Sequence, residues 1–167
     1  VEKFQKPIIF AVNHLDHGKS DFDSTVEQAR KRFGKAITIM QYPVNQGDGF
    51  NAIIDLLKMT MYQFPATGGK PQKLPIPPDE KAKAEMLHNA LVEKAAENDE
   101  RLMEKFFEKG SLDEDELREG LKLGMLHHDV YPVFCLSAKK DMGSGRLMGF
   151  IDRSEEHTSE LQSQFRI

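Results

Sequence analysis

A strand and the polar loop after it can be read from Pro7-Ile8-Ile9-Phe10-Ala11-Val12-Asn13-His14-Leu15-Asp16. The first six residues form a continuous apolar run that contains several β-branched side chains. Such a run is typical of a strand that is buried on both faces, as the strands of parallel sheets are. The sequence therefore predicts a core strand with a polar loop at its carboxyl end.

A second unit of the same kind lies further along the chain. The apolar run YPVFCL (131–136) is followed by a polar loop, 137–145, and by the start of a helix, 146–152. A helical pattern, 21–33, likewise follows the first strand and ends at Gly34. Because strands alternate with helices, the fold class predicted is α/β, with a parallel sheet.

The block between the two units, residues 36–126, is too long for a connection within such a sheet, which usually has about 2–6 residues. It begins with a predicted strand (36–44) and an ambiguous segment (50–64), which is either a strand pair or a short helix running into a strand. A predicted loop (65–78) and three predicted helices follow. The first two helices span 79–98 and 99–109, and the third is capped by Ser111 with Glu114 or by Asp113 with Glu116. Helical spacing predicts that Leu102, Met103, Phe106 and Phe107 are buried. We interpret this block as an inserted α+β subdomain.

The predicted organisation is a core part at 1–35, the insertion at 36–126 and a second core part at 127–152. Residues 153–163 (RSEEHTSELQS) resemble the in-frame translation of a sequencing adapter, so we assign 153–167 to an artefact and exclude it from the fold. The chain also begins without a methionine. We therefore expect a fragment whose biological sequence ends near Asp152.

Composition narrows the class of protein. With 39% hydrophobic and 30% charged residues, the chain resembles globular proteins, and no apolar run approaches the roughly 20 residues that span a bilayer. Its single cysteine, Cys135, is expected in the core and suits a cytoplasmic location. Residues 79–119 hold 14 acidic and 7 basic residues, which we interpret as a solvated helical face. A basic surface that reads DNA directly is not indicated.

Residues 13–20, NHLDHGKS, have two interpretations. In the first they form a phosphate-binding loop of the GxxxxGK[ST] type, since they lie between a strand and a helix. Asn13 stands where the first glycine is required, however. A GTPase of that class also needs a DxxG and an NKxD motif further along, and neither follows Ser20.

In the second interpretation Asn13-His14-Leu15-Asp16 is a variant of NKxD, the motif that selects guanine. The carboxylate of Asp16 can accept two hydrogen bonds from guanine N1–H and N2–H, a pair that adenine does not offer. Ser137-Ala138-Lys139 follows the second strand as the partner motif, with the Ala138 N–H directed at guanine O6 and Ser137 holding the turn. Both motifs end core strands at the edge where such sheets bind ligands.

Here the sequence resembles the G domain of elongation factor G, in its divergent Bacteroidetes-type subgroup. The resemblance covers essentially all of residues 4–152 and is carried by the order strand, NxxD, helix, insertion, strand, SAK, and by FDSTVEQ (22–28), LVEKAAENDERLMEKFF (91–107) and PVFCLSA (132–138). It implies a partial P-loop GTPase G domain in which the insertion is a G′ subdomain.

The resemblance also implies a function: a monomer that binds GTP and GDP, engages the ribosome and its stalk protein, and promotes translocation. The implied guanine-binding residues are Asn13, His14, Asp16, Ser137, Ala138 and Lys139. The phosphate loop and the Mg²⁺ ligands of the family precede this sequence, so we expect no hydrolysis by this chain itself. His14 replaces a lysine whose stem flanks the base, and its ring can stack on guanine instead.

Two kinds of alternative stay open. The parent is either a translocation factor or a related ribosomal-protection or release-factor GTPase. Alternatively, the chain is a non-enzymatic module that binds the ribosomal stalk and whose nucleotide site is vestigial. Metal binding by His14, Asp16 and His17, or by His127 and His128, is not indicated, because neither set has the spacing of a ligand group.

Overall fold

The computed structural model describes residues 6–156. This part of the chain contains a parallel three-stranded sheet, an antiparallel four-stranded sheet and five α-helices. The predicted α/β class, with an insertion in a partial G-domain-like fold, is confirmed.

The parallel sheet consists of β1 (Phe10–Val12), β7 (Tyr131–Cys135) and β2 (Ile37–Ile39), with β7 in the centre. Both outer strands pair parallel with β7, and the register sets Val12 opposite Cys135. Strand β7 is largely buried, but Ala11 in β1 is exposed. Burial of β1 on both faces was therefore a wrong prediction, because β1 lies at the edge of this sheet.

Helix α1 (Phe22–Phe33) connects β1 to β2. Its N-cap is Asp21, whose carboxylate accepts the N–H of Ser24, and it ends at Gly34, where the backbone φ of 70° favours glycine. Phe22 and Val26 are buried. Phe33 is 41% exposed, although it packs edge-to-face on the ring of Phe10.

The predicted strand over 36–44 is two strands. Met40 separates β2 from β3 (Gln41–Pro43), and it bonds in both directions: its N–H donates to Val133 O (3.0 Å) and its carbonyl accepts from Leu56 N–H (3.0 Å). The chain thus passes from one sheet to the other at this residue. Strand β2, which the predicted boundary at residue 36 assigns to the insertion, lies in the parallel sheet.

The antiparallel sheet continues from β3 through β4 (Ala52–Asp55), β5 (Thr60–Gln63) and β6 (Gln72–Leu74). The ambiguous segment 50–64 is therefore a strand pair. The prediction that 65–78 is wholly loop was wrong, because Gln72, Lys73 and Leu74 pair with β5.

Three helices follow: α2 (Pro78–Ala96), α3 (Glu100–Lys109) and α4 (Glu114–Leu126). Helices α2 and α4 approach closely at Gly120, where a Cβ would lie inside 3.0 Å of the Ala95 carbonyl. Leu102 of α3 is buried, and Met103 and Phe106 are partly buried. Burial of Phe107 was a wrong prediction, since it is 78% exposed.

After β7, helix α5 (Ser144–Glu156) packs on the parallel sheet through Phe150, whose ring centroid lies 4.9 Å from that of Phe134. Most of the stretch assigned to an adapter artefact, 157–167, lies outside the described residues. In the part that is described, none of the helices is long and apolar enough to cross a membrane.

Candidate functional site

The candidate site lies where β1 and β7 end side by side. We call residues 13–20 the NxxD loop and residues 137–143 the SAK loop; the first follows β1 and the second follows β7. Parallel pairing of the two strands places both loops at the same edge of the sheet. The Leu136 N–H donates to Val12 O at 3.0 Å, so the pairing continues one residue beyond β7.

Two side-chain hydrogen bonds join the loops. The amide oxygen of Asn13 accepts the N–H of Ala138 at 2.9 Å. The Ser137 hydroxyl donates to the Asp16 carboxylate at 2.7 Å. The structure therefore brings together four of the six predicted guanine-binding residues, although the partners are 125 and 121 positions apart in the sequence.

Ser137 organises the SAK loop. The residue is fully buried, and it caps a short 3₁₀ turn at Ala138–Lys140 by accepting the Lys140 N–H on its hydroxyl at 3.3 Å. Its backbone forms a two-bond bridge with Met142. Gly143 then has φ of 86°, and a Cβ there would overlap the carbonyl of Cys135. The loop returns sharply enough to present Ala138 and Lys139 at the surface.

The NxxD loop is anchored by Leu15. Its side chain is 1% exposed, and its N–H donates to Leu136 O at 3.4 Å. Of the flanking residues, Asp16 is half-buried and His14 is exposed, with its backbone in the left-handed region at φ of 63°. Polar residues on either side of a buried leucine explain the Asn-His-Leu-Asp pattern.

The electrostatics favour an ionised Asp16. The hydrogen bond from Ser137 lowers the pKa of the Asp16 carboxyl below its usual 3.8; burial opposes this effect, and the charges of Lys140 and Lys139 add to it. A carboxylate has about four acceptor positions. Asp16 can therefore accept further N–H groups from a ligand while it keeps its bond to Ser137.

The phosphate-loop interpretation of residues 13–20 does not agree with the backbone geometry. Such a loop needs free N–H groups. Here the N–H of His17 donates to His14 O, that of Lys19 to His17 Nδ1, and that of Ser20 to His17 O. Helix α1 also begins only at Phe22, after the Asp21 cap, so Lys19 and Ser20 precede the helix.

Thiol and metal chemistry are not supported by the described residues. Cys135 lies in the core, as predicted; its thiol donates to Gln41 O at 3.2 Å, and burial raises its pKa well above the usual value. Within residues 6–156, no group of three or more His, Cys, Asp or Glu residues is placed to hold a metal ion.

Sequence reasoning missed the residues outside both motifs that contact the site. Gly47 donates its N–H to Leu15 O at 2.7 Å, and Gly69 donates to Asp141 O at 3.2 Å. Gly68 lies against the carbonyl of Lys140. The only sequence signals were the glycine-rich turns at 47–49 and 68–69, which predict loops but not what those loops contact.

No protein-family model matches this chain. Among 83 matching chains of solved structure is a protein from Thermus thermophilus, with a TM-score of 0.79 and 23% sequence identity. The match covers 90% of this chain and 22% of that protein, so the chain corresponds to about a fifth of its length. At this identity the likeness establishes a shared fold.

Proposed function

We propose that this chain carries the base-recognition half of a guanine-nucleotide site. The observation that supports it is the meeting of the two motif loops through Asn13–Ala138 and Asp16–Ser137. The two bonds join the Asn and Asp of the first motif to the Ser and Ala of the second. A site that reads a base edge needs a fixed acceptor and a fixed donor, and these bonds hold one of each.

The acceptor is Asp16, which takes N1–H and N2–H of guanine. A carboxyl with the usual pKa of 3.8 is already ionised at neutral pH, and the hydrogen bond from Ser137 lowers the pKa further. An adenine in the same position offers no such donor pair and leaves the acceptor positions that face the base unpaired, which costs about 1–3 kcal/mol or more. Specificity therefore comes from a penalty on the wrong base.

The donor is the N–H of Ala138, which binds guanine O6. It donates to Asn13 Oδ1 in the structure. On binding, O6 shares this N–H with Asn13 Oδ1, so the bond that holds the donor in place is kept. His14 and Lys139 are both exposed, and we propose that they pack against the faces of the ring.

At the level of the whole protein, we propose a GTP-binding translation elongation factor that promotes ribosomal translocation in the cytoplasm. Phosphate and Mg²⁺ are then held by residues outside this sequence. The support is the sequence resemblance given above, together with a fold shared by a much longer protein. A ribosomal-protection or release-factor GTPase is the alternative to a translocation factor.

One observation favours a second candidate, a non-enzymatic interaction module. Phe107 on α3 and Met86 on α2 are 78% and 63% exposed within the acidic region 79–119. These side chains are free to contact another protein, and the family resemblance suggests the ribosomal stalk as that protein. This candidate needs no nucleotide.

The test is a titration of the ¹⁵N-labelled chain with nucleosides, followed by amide chemical shifts. Nucleosides are suitable because this chain's own residues read only the base. We expect guanosine to shift the amides of Asp16 and Ala138 with a Kd of about 1 mM or weaker, and adenosine to have no effect at the same concentration.

The decisive variant is Asp16→Asn. The amide can donate to the carbonyl at position 2 of xanthine, so preference should pass from guanosine to xanthosine. Asp23→Asn, the same change on the exposed first turn of α1, is the control and should keep the guanosine preference. If Asp16→Asn also keeps it, or if the unmodified chain binds all nucleosides alike, the guanine site is wrong and the interaction module becomes the better candidate.

A further inference from the structure

Each loop of the candidate site is held by a loop from the middle of the chain. We call residues 45–49, between β3 and β4, the first clamp, and residues 65–69, between β5 and β6, the second clamp. The first contacts the NxxD loop and the second contacts the SAK loop. None of these contacts was predicted by either motif.

The first clamp contacts both the NxxD loop and helix α1. The Gly47 N–H donates to Leu15 O at 2.7 Å, next to Asp16 in the chain. The Gln46 side-chain oxygen accepts the N–H of Phe22 at 2.8 Å, a donor at the start of α1 that the helix itself leaves unbonded. The clamp is itself ordered by the Asn45 side chain, which donates to Gly49 O at 2.7 Å. It therefore fixes the loop at both of its ends.

The second clamp contacts the backbone of the SAK loop. The Gly69 N–H donates to Asp141 O at 3.2 Å. At Gly68, with φ of 77°, a Cβ would overlap the carbonyl oxygen of Lys140 and also come close to Asp141 Cβ. The backbones meet so closely that only glycine fits, and the Lys140 N–H is the group that Ser137 accepts.

We propose that the two clamps are positioning elements that set the affinity of the base site. This rests on the proposed function, and it adds that guanine affinity depends on residues that never touch the base. Asp16 and Ala138 must be aligned together to read one base edge, and a shift of about 1 Å in either is costly for such a site. A partner or a change that displaces either clamp then alters base affinity.

The chain offers a matched pair of variants. Gly68 and Gly110 both have positive φ, so alanine strains the backbone at each, but Gly110 follows α3 and belongs to neither clamp. Only at Gly68 does the added Cβ meet another loop; at Gly110 none of the described residues lies within 4 Å of it. We expect Gly68→Ala to weaken guanosine binding about fivefold or more relative to Gly110→Ala. It should also shift the amides of Ala138 and Asp141 without nucleoside present.

A second variant covers the case in which Gly68→Ala does not fold. Gln46→Ala removes the acceptor for the Phe22 N–H and leaves the Asp21 cap of α1 in place. We expect a weaker effect in the same direction. Gln28→Ala, which removes an exposed side chain of α1, is the control and should bind guanosine as the unmodified chain does.

The outcomes separate the two proposals. If the unmodified chain binds guanosine and Asp16→Asn changes the preference, but Gly68→Ala binds as Gly110→Ala does, the positioning role is overturned while the base site stands. If Gly68→Ala does not fold, equal guanosine binding by Gln46→Ala and Gln28→Ala overturns the positioning role. If the unmodified chain does not bind guanosine, both proposals fall.

Discussion

At the scale of single residues, the site depends on one buried hydroxyl. Ser137 donates to Asp16 and accepts from the Lys140 N–H, so it uses its donor and one acceptor position without access to solvent. A hydroxyl has only one proton to give, and here that proton stabilises the ionised form of Asp16. The serine therefore acts on the proposed site through the carboxylate and through the turn.

Ser137→Ala should raise the pKa of the Asp16 carboxyl, because the largest cause of its lowering is removed. Because the pKa of Asp16 is lowered in the folded state, ionised Asp16 stabilises the fold at pH values above its ordinary pKa of 3.8. This stabilisation is lost as the pH falls through the folded-state pKa. The variant should therefore lose less stability than the unmodified chain on acidification below about pH 4. Carboxyl ¹³C NMR titration measures the pKa directly.

The control for this prediction is Ser144→Ala. Its hydroxyl donates to a different carboxylate, that of Asp141, in the same part of the fold. The pKa of Asp16 should not change in that variant. An unchanged Asp16 pKa in Ser137→Ala itself would show that the hydrogen bond does not control the ionisation of the carboxylate.

At the scale of elements, the sequence located the strands that have a continuous apolar run and the helices whose apolar residues recur at helical spacing. Apolar runs located β1 and β7, and helical spacing located α1 to α4. Strand β6 was missed because its three residues, Gln72, Lys73 and Leu74, have no apolar alternation and lie in a segment rich in proline and glycine. The break at Met40 was missed because no turn residue marks it.

The candidate site likewise has residues that the sequence predicts and contacts that it does not. The motif residues could be predicted because each follows a strand whose pattern is clear, and parallel strands end at one edge. The clamp contacts at Gly47 and Gly68 could not be predicted, since they depend on how the antiparallel sheet lies against the parallel one. Tertiary placement of this kind leaves no periodic signal in the sequence.

The start of α4 allows a direct test of a local prediction. Sequence spacing left two capping boxes open, and the structure has Asp113 with Glu116: the carboxylate accepts the Glu116 N–H at 2.9 Å, and Glu116 accepts the Asp113 N–H at 3.2 Å. Asp113→Ala should lower the free energy of unfolding by about 1 kcal/mol. Ser111→Ala, at the rejected cap, should change it by less than about 0.5 kcal/mol.

Urea unfolding followed by far-UV circular dichroism measures both variants under identical conditions. Equal losses for the two, or a larger loss for Ser111→Ala, would place the helix start at the other box. A loss confined to Asp113→Ala confirms the start of α4 at Glu114.

At the scale of the whole molecule, the two sheets share one core. Buried residues of both belong to one hydrophobic cluster, in which Met40 and Cys135 lie in the region where the sheets meet. The Cys135 thiol donates to Gln41 O at the start of β3. Because the packing is continuous from one sheet to the other, we expect the two sheets to unfold together.

The ion pair between Arg146 and Asp55 joins α5 to the antiparallel sheet. Asp55 is 4% exposed and also accepts the N–H groups of Leu57 and Lys58 at 3.1 Å. The Arg146 guanidinium bonds to Asp55 and lies 4.3 Å from the ring centroid of Tyr62. Because α5 follows the SAK loop directly, this pair connects the candidate site to the antiparallel sheet.

Arg146→Met should therefore destabilise both sheets equally. Removing one partner leaves the Asp55 charge buried, and since two backbone N–H groups still serve it, we expect a loss of about 2 kcal/mol. Arg118→Met is the control: its pair with Glu114 lies within α4, is partly exposed and contributes only about 0.5 kcal/mol.

Urea titrations read from amide signals of β7 and β5 give the two midpoints separately. A single lowered midpoint in Arg146→Met means that the site and the antiparallel sheet form one cooperative unit, through which displacement of a clamp reaches the base site. Earlier loss of the β5 signals alone would mean that the antiparallel sheet opens independently, and the positioning role of the clamps would then lack its mechanical basis.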